Sequence, residues 1–455
     1  MRPRRMSEVA EAVGGRLEGA DALVDHVTID SRQVRPRALF VALAGERTDG
    51  ARFVDDAFAR GAAGALVPER APATASGPCV RVASTGEALL RLAADERARS
   101  EAVVVGITGA NGKTSTKDLA AAVSSRRFAT HASPASFNNE IGVPLTLLGA
   151  PPATEVIVAE LGARHVGDAA LLCTVARPRI VVVTNVGVAH LEVFGSWEAI
   201  VEASAEPVEA LGPDGVAVLN ADDPVVIGYA SRTRGRVRTF GRSAEADVRG
   251  QDVVLDDQGV ASFELLACGE RTRVRLAVPG EHMVANALAA AAVGVELGVP
   301  LASIADALAV ARIARWRMEV FTTAQGLRVL NDAYNANPES VAAALRTARW
   351  IARDGRLIAV LGRMAELGPI SDEAHEDVGA LAARLGVETL VVVGEDARAI
   401  AAAAEREGLG PDDVVLVNDV ETAARVVRDR ARPGDVVLCK ASRVVGLERV
   451  AEALR

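Results

Sequence analysis

Short apolar runs alternate with polar, glycine-containing segments along most of the chain, a pattern typical of buried strands in an α/β protein. The most informative run, Val103–Ile107, is followed by the glycine-rich turn Thr108–Gly112. Lys113 and Thr114 come next, and good helix formers at Leu119–Ala122 continue the segment. The pattern predicts a strand, a glycine-rich loop and a helix in direct succession.

This loop has the composition of a phosphate-binding loop. Backbone N–H groups of a glycine-rich turn and the positive end of the following helix favour a polyphosphate. Lys113 is expected to reach the β- and γ-phosphates of a nucleotide, and the Thr114 hydroxyl is expected to bind Mg²⁺. The usual spacing G-x-x-x-x-G-K-[ST] is not met, because Ile107 stands in the first glycine position and the earlier glycine is Gly109. The loop is a shortened T-G-x-x-G-K-T, and a glycine turn that only caps a buried helix is the alternative. The residues expected at the nucleotide are Gly109, Ala110, Asn111, Gly112, Lys113, Thr114 and Ser115.

Residues 1–100 are predicted to form a small mixed α/β domain. The expected elements are helices over Met6–Val13 and Phe53–Phe58 and strands over Ala38–Leu43 and Ala65–Val67. Asp30, Ser31 and Arg32 could hold a polar ligand head such as a nucleotide base or a diphosphate. From the residues alone, the simpler interpretation is a strand end with a solvated arginine.

Residues 101–312 are predicted to form a parallel α/β domain around the loop. Two apolar runs, Val156–Leu161 and Ile180–Asn185, lead to Glu160 and His190. Ligands of parallel α/β sheets lie at the carboxyl ends of the strands, so both side chains are expected near Mg²⁺ bound to ATP. Glu160 is the preferred ligand because a hard cation takes oxygen donors. His190 is either a softer ligand or a packed, capping residue.

The rest of this domain carries weaker signals. Asn220–Pro224 follows an apolar run and is either a site turn or a simple turn. Residues 236–278 alternate in polarity and are predicted to form short strands. Pro279–His282 opens an alanine-rich helix that carries Asn286, and an Asn in the first turns of a helix is often only a cap.

Residues 313–455 are predicted to form a second α/β unit with a doubly wound sheet. The expected strands are Arg328–Asp332, Leu357–Leu361, Leu390–Val393 and Val436–Cys439. The first of them leads into the turn Ala333–Ser340, which offers side-chain amides and a carboxylate, and the last delivers Lys440–Arg443. A dinucleotide site is not expected, because the sequence lacks G-x-G-x-x-G.

Length and charge limit the classes of function. A chain of 455 residues suggests three domains at about 150 residues each. The net charge of −9 argues against a general nucleic-acid binder. No apolar run approaches the ~18–20 residues of a membrane span, and no signal peptide is evident, so no membrane insertion is expected. The cysteines form no C-x-x-C pair, which fits a reducing cytoplasm without a zinc site.

Lysine is rare in this chain. Only Lys113, Lys117 and Lys440 occur, and all other strongly basic residues are arginines. A lysine retained in such a sequence hints that arginine would not serve at that position. A GC-rich genome and chance are the alternative explanation.

Several short motifs, spread in order over nearly the whole chain, resemble the Mur ligase family of ATP-dependent amide-forming enzymes in peptidoglycan precursor synthesis. The motifs are Thr108–Thr114, Asn138–Pro144, Glu160–Ala163, Ala189–Glu192, Asn220–Asp222, Asn286–Ala289, and Arg317 followed by Asp332. Each motif is short, but their number and order make the resemblance specific.

The resemblance implies an N-terminal domain for a UDP-sugar, a central P-loop ATPase-like domain and a Rossmann-like C-terminal domain. Ser31 and Arg32 then fall in the UDP-substrate region, which replaces the interpretation of a solvated arginine. The catalytic residues implied are Lys113, His190 and Arg317. The nucleotide contacts implied are Asn286 to the adenine, Arg317 to the phosphates and Asp332 to the ribose. The substrate contacts implied are Asn138, Asn139, Asn335, Lys440, Ser442 and Arg443.

Within the family, several segments are most similar to the branch that adds D-alanyl-D-alanine to a UDP-N-acetylmuramoyl tripeptide. These segments are Asp30–Arg32, Leu39–Leu43, Gly45–Glu46, Asn331–Pro338 and Met364–Gly368. The implied reaction passes through an acyl phosphate, with ATP and Mg²⁺ as cofactors, small-molecule substrates and a monomeric, cytoplasmic enzyme. Another Mur-type or folylpolyglutamate-like ligase is one alternative, and a relative that binds its ligands without ligating them is another.

One position departs from the family pattern. Family members usually carry a carbamylated lysine downstream of the metal-site histidine, where it helps to hold a second Mg²⁺. The matching position here is Ser204. Either Glu202 or Glu206 takes over this role, or the second Mg²⁺ binds weakly, or activity is reduced.

Overall fold

The structure, a computed structural model, describes residues 1–45, 48–71, 76–353 and 355–455. Its helices and strands form three sheet-based units, which agrees with the predicted α/β class and three-domain organisation. Glu46, which belongs to the Gly45–Glu46 pair used above, lies outside the described residues.

The first unit is a small mixed α/β structure. Its elements are β1 (Arg4–Arg5), α1 (Met6–Val13), β2 (Arg16–Glu18), β3 (Leu23–Val24), β4 (His26–Thr28), β5 (Ala38–Val41), α2 (Val54–Ala59), β6 (Ala62–Pro68), β7 (Cys79–Val82) and α3 (Thr85–Ala98). One sheet has the order β2-β7-β6-β5-β4, and β1 pairs with β3. The predicted helix α1 is present, and Gly14 ends it with a φ of 68°, a left-handed conformation that glycine adopts without strain.

The second unit holds the predicted strand, loop and helix. Its elements are β8 (Val103–Thr108), α4 (Lys113–Ser124), β9 (Thr130–Ala132), α5 (Gly142–Gly149), β10 (Val156–Glu160), α6 (Asp168–Ala176), β11 (Ile180–Val183), α7 (Leu191–Phe194), α8 (Trp197–Glu209), β12 (Val216–Asn220), α9 (Pro224–Gly228), β13 (Arg236–Gly241), β14 (Val248–Leu255), β15 (Val260–Ala267), β16 (Glu270–Pro279), α10 (Met283–Glu296) and α11 (Leu301–Val310). The sheet order is β16-β15-β14-β13-β12-β11-β8-β10-β9.

The prediction for residues 236–278 was wrong in one respect. The strands there are 6 to 10 residues long rather than short. Strands β14, β15 and β16 pair antiparallel, whereas the pairs from β9 to β14 are parallel. An antiparallel sheet with one solvated face tolerates long runs of alternating polarity, which is the pattern of β16.

The third unit is a mostly parallel sheet with helices on both faces. Its elements are β17 (Glu319–Thr322), β18 (Arg328–Asn331), α12 (Pro338–Ala352), β19 (Leu357–Gly362), α13 (Ser371–Arg384), β20 (Thr389–Val393), α14 (Arg398–Arg406), β21 (Val414–Val417), α15 (Val420–Arg430), β22 (Val436–Lys440) and α16 (Glu448–Ala453). The order is β17-β18-β22-β19-β20-β21, and only the β17–β18 pair among these is antiparallel. Two separate apolar clusters cover the two faces of the sheet.

The carboxyl ends of three neighbouring strands position the site. Glu160 of β10 lies beside Ile107 of β8, and Val183 of β11 lies beside Thr108. The loop after β8, the carboxylate that ends β10 and the segment after β11 therefore share one edge of the sheet. Helix α4 continues from the loop and buries Leu119 in the largest apolar core.

The chain passes from the first sheet to the second through residues 99–102 and from the second to the third through 311–318. Within the second connection, Trp316 and Met318 have φ values of 62° and 48° and bracket Arg317. Non-glycine residues in this left-handed region cost about 1–3 kcal/mol each and are concentrated at functional sites. No helix within the described ranges is long and apolar enough to cross a membrane.

Candidate functional site

A cavity of about 870 Å³ lies between the glycine-rich loop and the first turns of the third unit. Most of the predicted site residues line it. They are Ala110, Asn111, Gly112, Lys113, Thr114, Ser115, Asn138, Asn139, Glu160, His190, Asn286, Arg317, Asp332, Asn335, Lys440, Ser442 and Arg443. Gly109 shapes the loop from behind, and Ser31 and Arg32 lie elsewhere, in the first unit.

The loop requires glycine at both ends. Gly109 has a φ of 128°, and a Cβ atom there would lie 2.2 Å from the Thr184 hydroxyl. Gly112 has a φ of 79° and precedes the first residue of α4, so the first N–H groups of that helix face the cavity without intrahelical partners. The strand, loop and helix predicted from the sequence are confirmed, and their geometry suits a bound polyphosphate.

Asn185, which the sequence marked only as a strand end, holds the loop in place. Its carbonyl accepts from Ala110 N at 2.9 Å, and its side-chain oxygen accepts from Asn111 N at 2.8 Å. Its amide also donates to Asn111 O at 3.0 Å. From the third unit, the Asn337 amide donates to Asn111 Oδ1 at 2.8 Å. The loop is thus preorganised by two neighbouring segments.

The Lys113 side chain folds back over the loop. Its ammonium group donates to Gly109 O at 2.6 Å and to Ala110 O at 3.2 Å. Burial lowers the pKa of Lys113, and the nearby Glu160 carboxylate opposes that shift. The ammonium therefore lies beside the loop carbonyls, within the cavity that a polyphosphate would enter.

Glu160 and Thr114 form the part of the cavity that best suits a divalent cation. Glu160 is 1% exposed, and its two oxygens accept from Thr114 Oγ1 at 2.7 Å and from Asn138 Nδ2 at 2.8 Å. Adjacent oxygen ligands of Mg²⁺, each ~2.0–2.1 Å from the ion in an octahedron, lie about 2.9 Å apart. The spacing between the Thr114 and Glu160 oxygens fits such a pair. No cluster of three His, Cys, Asp or Glu ligands occurs in the described part of the chain, so water and phosphate oxygens would supply the other positions.

His190 is held by a residue whose role the sequence did not reveal. Its Nδ1 pairs with Glu366 Oε2, and Arg164 Nη2 donates to the other Glu366 oxygen at 2.6 Å. Burial lowers the pKa of His190, although the Glu366 hydrogen bond opposes the shift. Glu366 is 176 positions away and belongs to the third unit, so only the tertiary fold brings the pair together. Both alternatives for His190 stay open, since the ring is anchored and also lines the cavity.

Arg317 reaches the cavity from the connection between the second and third units. Its Nη2 donates to Ser136 Oγ at 3.1 Å, and the same hydroxyl lies 3.1 Å from Thr114 Oγ1. The guanidinium carbon lies 4.2 Å from the centre of the Tyr334 ring. Ser136 and Tyr334 were not singled out from the sequence. Through Ser136, Arg317 is linked to the predicted Mg²⁺ ligand.

Asn286 and Asp332 face the same cavity from different units. Asn286 is not a helix cap, because α10 already begins at Met283. The Asn286 side chain packs against Gly112. Its Oδ1 accepts from Thr116 Oγ1 at 3.3 Å. Asp332 accepts from Met318 N at 3.0 Å. These positions are compatible with the base and ribose contacts that the resemblance implies.

Lys440 and Ser442 line the cavity but are engaged within the protein. Lys440 Nζ donates to Asp332 Oδ2 at 2.5 Å and to Asn335 O at 2.9 Å. Ser442 Oγ accepts from Ala365 N at 2.9 Å. Both residues therefore organise the turns around the cavity. Arg443 is half-exposed and also has partners: it pairs with Glu448, and its guanidinium carbon lies 4.4 Å from the Trp316 ring centre.

The structure narrows the alternatives for the departure at Ser204. Glu206 is buried, and its carboxylate accepts from Gly167 N at 2.5 Å and Ala170 N at 2.8 Å. Glu202 pairs with Arg232 at 2.8 Å. All three positions on α8 lie outside the cavity lining, so neither glutamate is free to replace a carbamylated lysine.

In the first unit, Arg32 pairs with Asp30 at 2.8 Å and its side chain is 80% exposed. This pairing lowers the pKa of Asp30 to about 2. Ser31 is buried at the start of a short helical turn. The geometry is that of a strand end with a solvated arginine, and a UDP contact stays a prediction.

Each of the three units matches a known protein domain family. The Mur ligase family catalytic domain matches residues 23–97, the Mur ligase middle domain matches 107–294, and the Mur ligase glutamate ligase domain matches 316–443. The UDP-N-acetylmuramoyl-tripeptide--D-alanyl-D-alanine ligase of Mycobacterium tuberculosis is 41% identical, with 99% of this chain and 97% of that protein aligned.

Two solved structures are similar over the full length. A crystal structure of MurF from Acinetobacter baumannii has a TM-score of 0.88 and 30% identity, covering 99% of this chain and 98% of that one. The MurF ligase from Thermotoga maritima in complex with ADP has a TM-score of 0.81 and 29% identity, covering 95% and 97%. These matches confirm the resemblance drawn from the motifs. The chain therefore belongs to the Mur ligase family, whose members are ATP-dependent amide ligases.

Proposed function

We propose that this chain joins D-alanyl-D-alanine to UDP-N-acetylmuramoyl-tripeptide at the expense of ATP. The observation that carries the proposal is the cavity in which the shortened phosphate loop, Glu160 and Arg317 face the turns of the third unit. Similarity over 99% of the chain to a ligase of that name supports the choice of substrates.

The reaction needs an activated carboxylate, because a free carboxylate is a poor electrophile. The terminal carboxylate of the tripeptide attacks the γ-phosphorus of ATP, which releases ADP and forms an acyl phosphate. The neutral amine of the dipeptide then attacks the carbonyl carbon, phosphate leaves with the bridging oxygen, and the nitrogen loses one proton to water or to the departing phosphate as the amide forms. Phosphoryl transfer of this kind depends mainly on positioning and charge neutralisation.

The residues around the loop supply both requirements. Lys113 and Arg317 place positive charge beside the phosphates, and the Ser136 hydroxyl links Arg317 to Thr114. Thr114 and Glu160 are the proposed holders of Mg²⁺, which when bound supplies further positive charge at the β- and γ-phosphates. Because Glu202 and Glu206 have other partners, we propose that any second Mg²⁺ binds weakly.

The remaining contacts orient the substrates. Asn286 and Asp332 are proposed to hold the base and the ribose, and Arg443 to meet the dipeptide carboxylate. Ser31 and Arg32 are proposed to contact the UDP moiety. Residues 1–100, 101–312 and 313–455 would then be the UDP-sugar, ATP and C-terminal ligase domains of a monomeric, cytoplasmic enzyme. Ligands held by three domains favour closure, which shields the acyl phosphate from water.

Phosphate release with different amino substrates tests this proposal. The assay contains UDP-N-acetylmuramoyl-tripeptide, ATP and Mg²⁺, and compares D-alanyl-D-alanine with single amino acids, glutamate among them. Release is expected only with the dipeptide. Release that depends on another amino substrate would support a different Mur-type ligase, and release only when a folate replaces the UDP-linked tripeptide would support a folylpolyglutamate-like ligase. ATP binding without release under every condition would identify a relative that does not ligate.

A further inference from the structure

Lys117 is a buried lysine that the proposed chemistry does not use. It lies on α4 one turn after Lys113, and it is 2% exposed. Its ammonium group donates to Ser133 O at 2.7 Å and to Ala135 O at 2.9 Å, and it lies 2.7 Å from Asp118 Oδ1. Each of the three ammonium hydrogens thus has an acceptor, which is the complete set for a lysine.

The two carbonyls belong to a loop, residues 133–136, that touches the candidate site at several points. Ser133 Oγ accepts from Glu160 N at 3.2 Å. Ser136 Oγ lies 3.1 Å from both Thr114 Oγ1 and Arg317 Nη2. Between them, Ala135 has a φ of 46°, which a non-glycine residue keeps only when its surroundings enforce it. The Lys117 ammonium is bonded to the carbonyl of that same residue.

Asp118, the next residue, forms a hydrogen bond to a second segment, the connection between the second and third units. Its Oδ2 accepts from Ala314 N at 2.8 Å, in the connection that leads to Arg317. Lys117 and Asp118 are also paired with each other. The two chain segments that meet at the Ser136–Arg317 hydrogen bond are therefore both tied to one dipeptide on the helix that follows the phosphate loop.

We propose that Lys117 is a positioning residue for nucleotide binding: its ammonium group holds the 133–136 loop so that Ser136 joins Thr114 to Arg317. The inference rests on the proposed ATP site. It also accounts for a lysine in a chain whose other strong bases are nearly all arginines. A compact ammonium fits between two backbone carbonyls and a carboxylate, whereas a planar guanidinium is larger and directs its donors in a fixed fork.

The test measures the affinity for AMPPCP with Mg²⁺ by calorimetry in Lys117→Met, Lys117→Arg, Ser136→Ala and the Lys117→Met/Ser136→Ala double variant. Lys117→Met is expected to bind AMPPCP roughly tenfold more weakly, an effect of the size of one lost hydrogen bond to a charged group. The reason is that the 133–136 loop no longer holds Ser136 between Thr114 and Arg317. Lys117→Arg keeps the charge and is expected to weaken binding by at least ~3-fold, because the guanidinium displaces the loop. Since Lys117 acts through Ser136, the double variant is expected to bind within about twofold of the weaker single variant.

Arg4→Met is the matched control, since Arg4 is another buried cation, paired with Asp95 at 2.5 Å and Glu96 at 2.8 Å in the first unit. It is expected to lower thermal stability but to bind AMPPCP like the wild type. If Arg4→Met weakens binding as much as Lys117→Met, the effect is general destabilisation and the proposal is wrong.

Independent, multiplying effects of Lys117→Met and Ser136→Ala would also overturn the proposal, as would wild-type affinity in Lys117→Met. Should Lys117→Met fail to fold, Lys117→Arg decides: wild-type affinity in that variant contradicts the role given to the ammonium. A wild-type protein that does not bind AMPPCP would refute the ATP site of the proposed function and this inference with it. Normal wild-type binding with unaffected Lys117 variants would refute the inference alone.

Discussion

A substitution at Gly112 tests whether Asn286 lies at the nucleotide, because Gly195 provides a matched control. Gly112 and Gly195 both have a φ of 79°. A Cβ atom added at Gly112 would lie 2.2 Å from Asn286 Oδ1, whereas a Cβ at Gly195 meets no atom within 4 Å. Their ψ values are −4° and −25°, so Gly112→Ala and Gly195→Ala impose similar backbone strain, and only the first displaces a neighbouring side chain.

The expected magnitudes follow from these contacts. An alanine in the left-handed conformation costs about 1–2 kcal/mol, so both variants are expected to lose that much free energy of unfolding. In Gly112→Ala the Asn286 amide must also move, and its hydrogen bond from Thr116 is lost, for a further ~1 kcal/mol. If Asn286 contacts the base, its displacement by an alanine is expected to weaken nucleotide binding about tenfold, or ~1.4 kcal/mol.

Urea unfolding and AMPPCP calorimetry on the two variants separate these effects. Gly195→Ala is expected to be destabilised but to keep wild-type affinity, and Gly112→Ala to be less stable still and to bind more weakly. Equal affinity in both variants would refute the placement of Asn286 at the nucleotide. Equal stability would show that Asn286 yields without cost.

Three further outcomes are expected. Lys113→Met abolishes turnover while UDP-substrate binding persists; turnover that survives would show that the phosphate loop is misassigned. Asn337→Ala removes the 2.8 Å bond to Asn111 and also the N-cap hydrogen bond from Ser340 N that begins α12. It is expected to raise the KM for ATP about threefold to tenfold and to lower the free energy of unfolding by about 1 kcal/mol, and an unchanged KM would contradict the role given to Asn337 at the loop. Burial lowers the pKa of His131, so the unfolded chain binds a proton near pH 6 that the folded chain does not. Stability is therefore complete above pH ~6.5 and falls below it by up to about 1.4 kcal/mol per pH unit for this group. His131→Leu should reduce that slope in urea unfolding at pH 5.5 and 7.5, and an unchanged slope would contradict the assignment.

The local part of the site could be predicted from the sequence because its determinants are adjacent along the chain. The strand, glycine-rich turn, Lys113 and Thr114 follow one another, and Glu160 ends an apolar run that forms a buried strand. Strand polarity then places such residues at one edge of a parallel sheet. Periodicity and turn residues were sufficient for these assignments.

The partners that hold these residues could not be predicted, because they depend on strand order and unit packing. Asn185 reaches Asn111 across 74 positions through the pairing of β11 with β8. Glu366 reaches His190 across 176 positions. Neither contact has a local pattern, because nothing in the segment Met364–Gly368 shows which distant residue Glu366 will meet.

Residue type alone also does not show which contacts a side chain makes in the folded protein. Lys440 was assigned to the incoming dipeptide, and this assignment stays a prediction. In the structure the Lys440 side chain is 3% exposed and its ammonium is bonded to Asp332 and to the Asn335 carbonyl, so its direct effect is on the turn that carries them. A sequence shows that a lysine is present but not whether its charge is already neutralised.

If the amide forms through an acyl phosphate, one oxygen of the tripeptide carboxylate passes to the released phosphate, and isotope labelling detects this transfer. The tripeptide substrate carries ¹⁸O in both oxygens of its terminal carboxylate and is mixed with ATP, Mg²⁺ and D-alanyl-D-alanine. Mass spectrometry should find one ¹⁸O in each released phosphate and one in each new amide, with equal amounts of phosphate and UDP-N-acetylmuramoyl-pentapeptide. Unlabelled phosphate without pentapeptide would mean that water, and not the carboxylate, attacks ATP, and that no acyl phosphate forms.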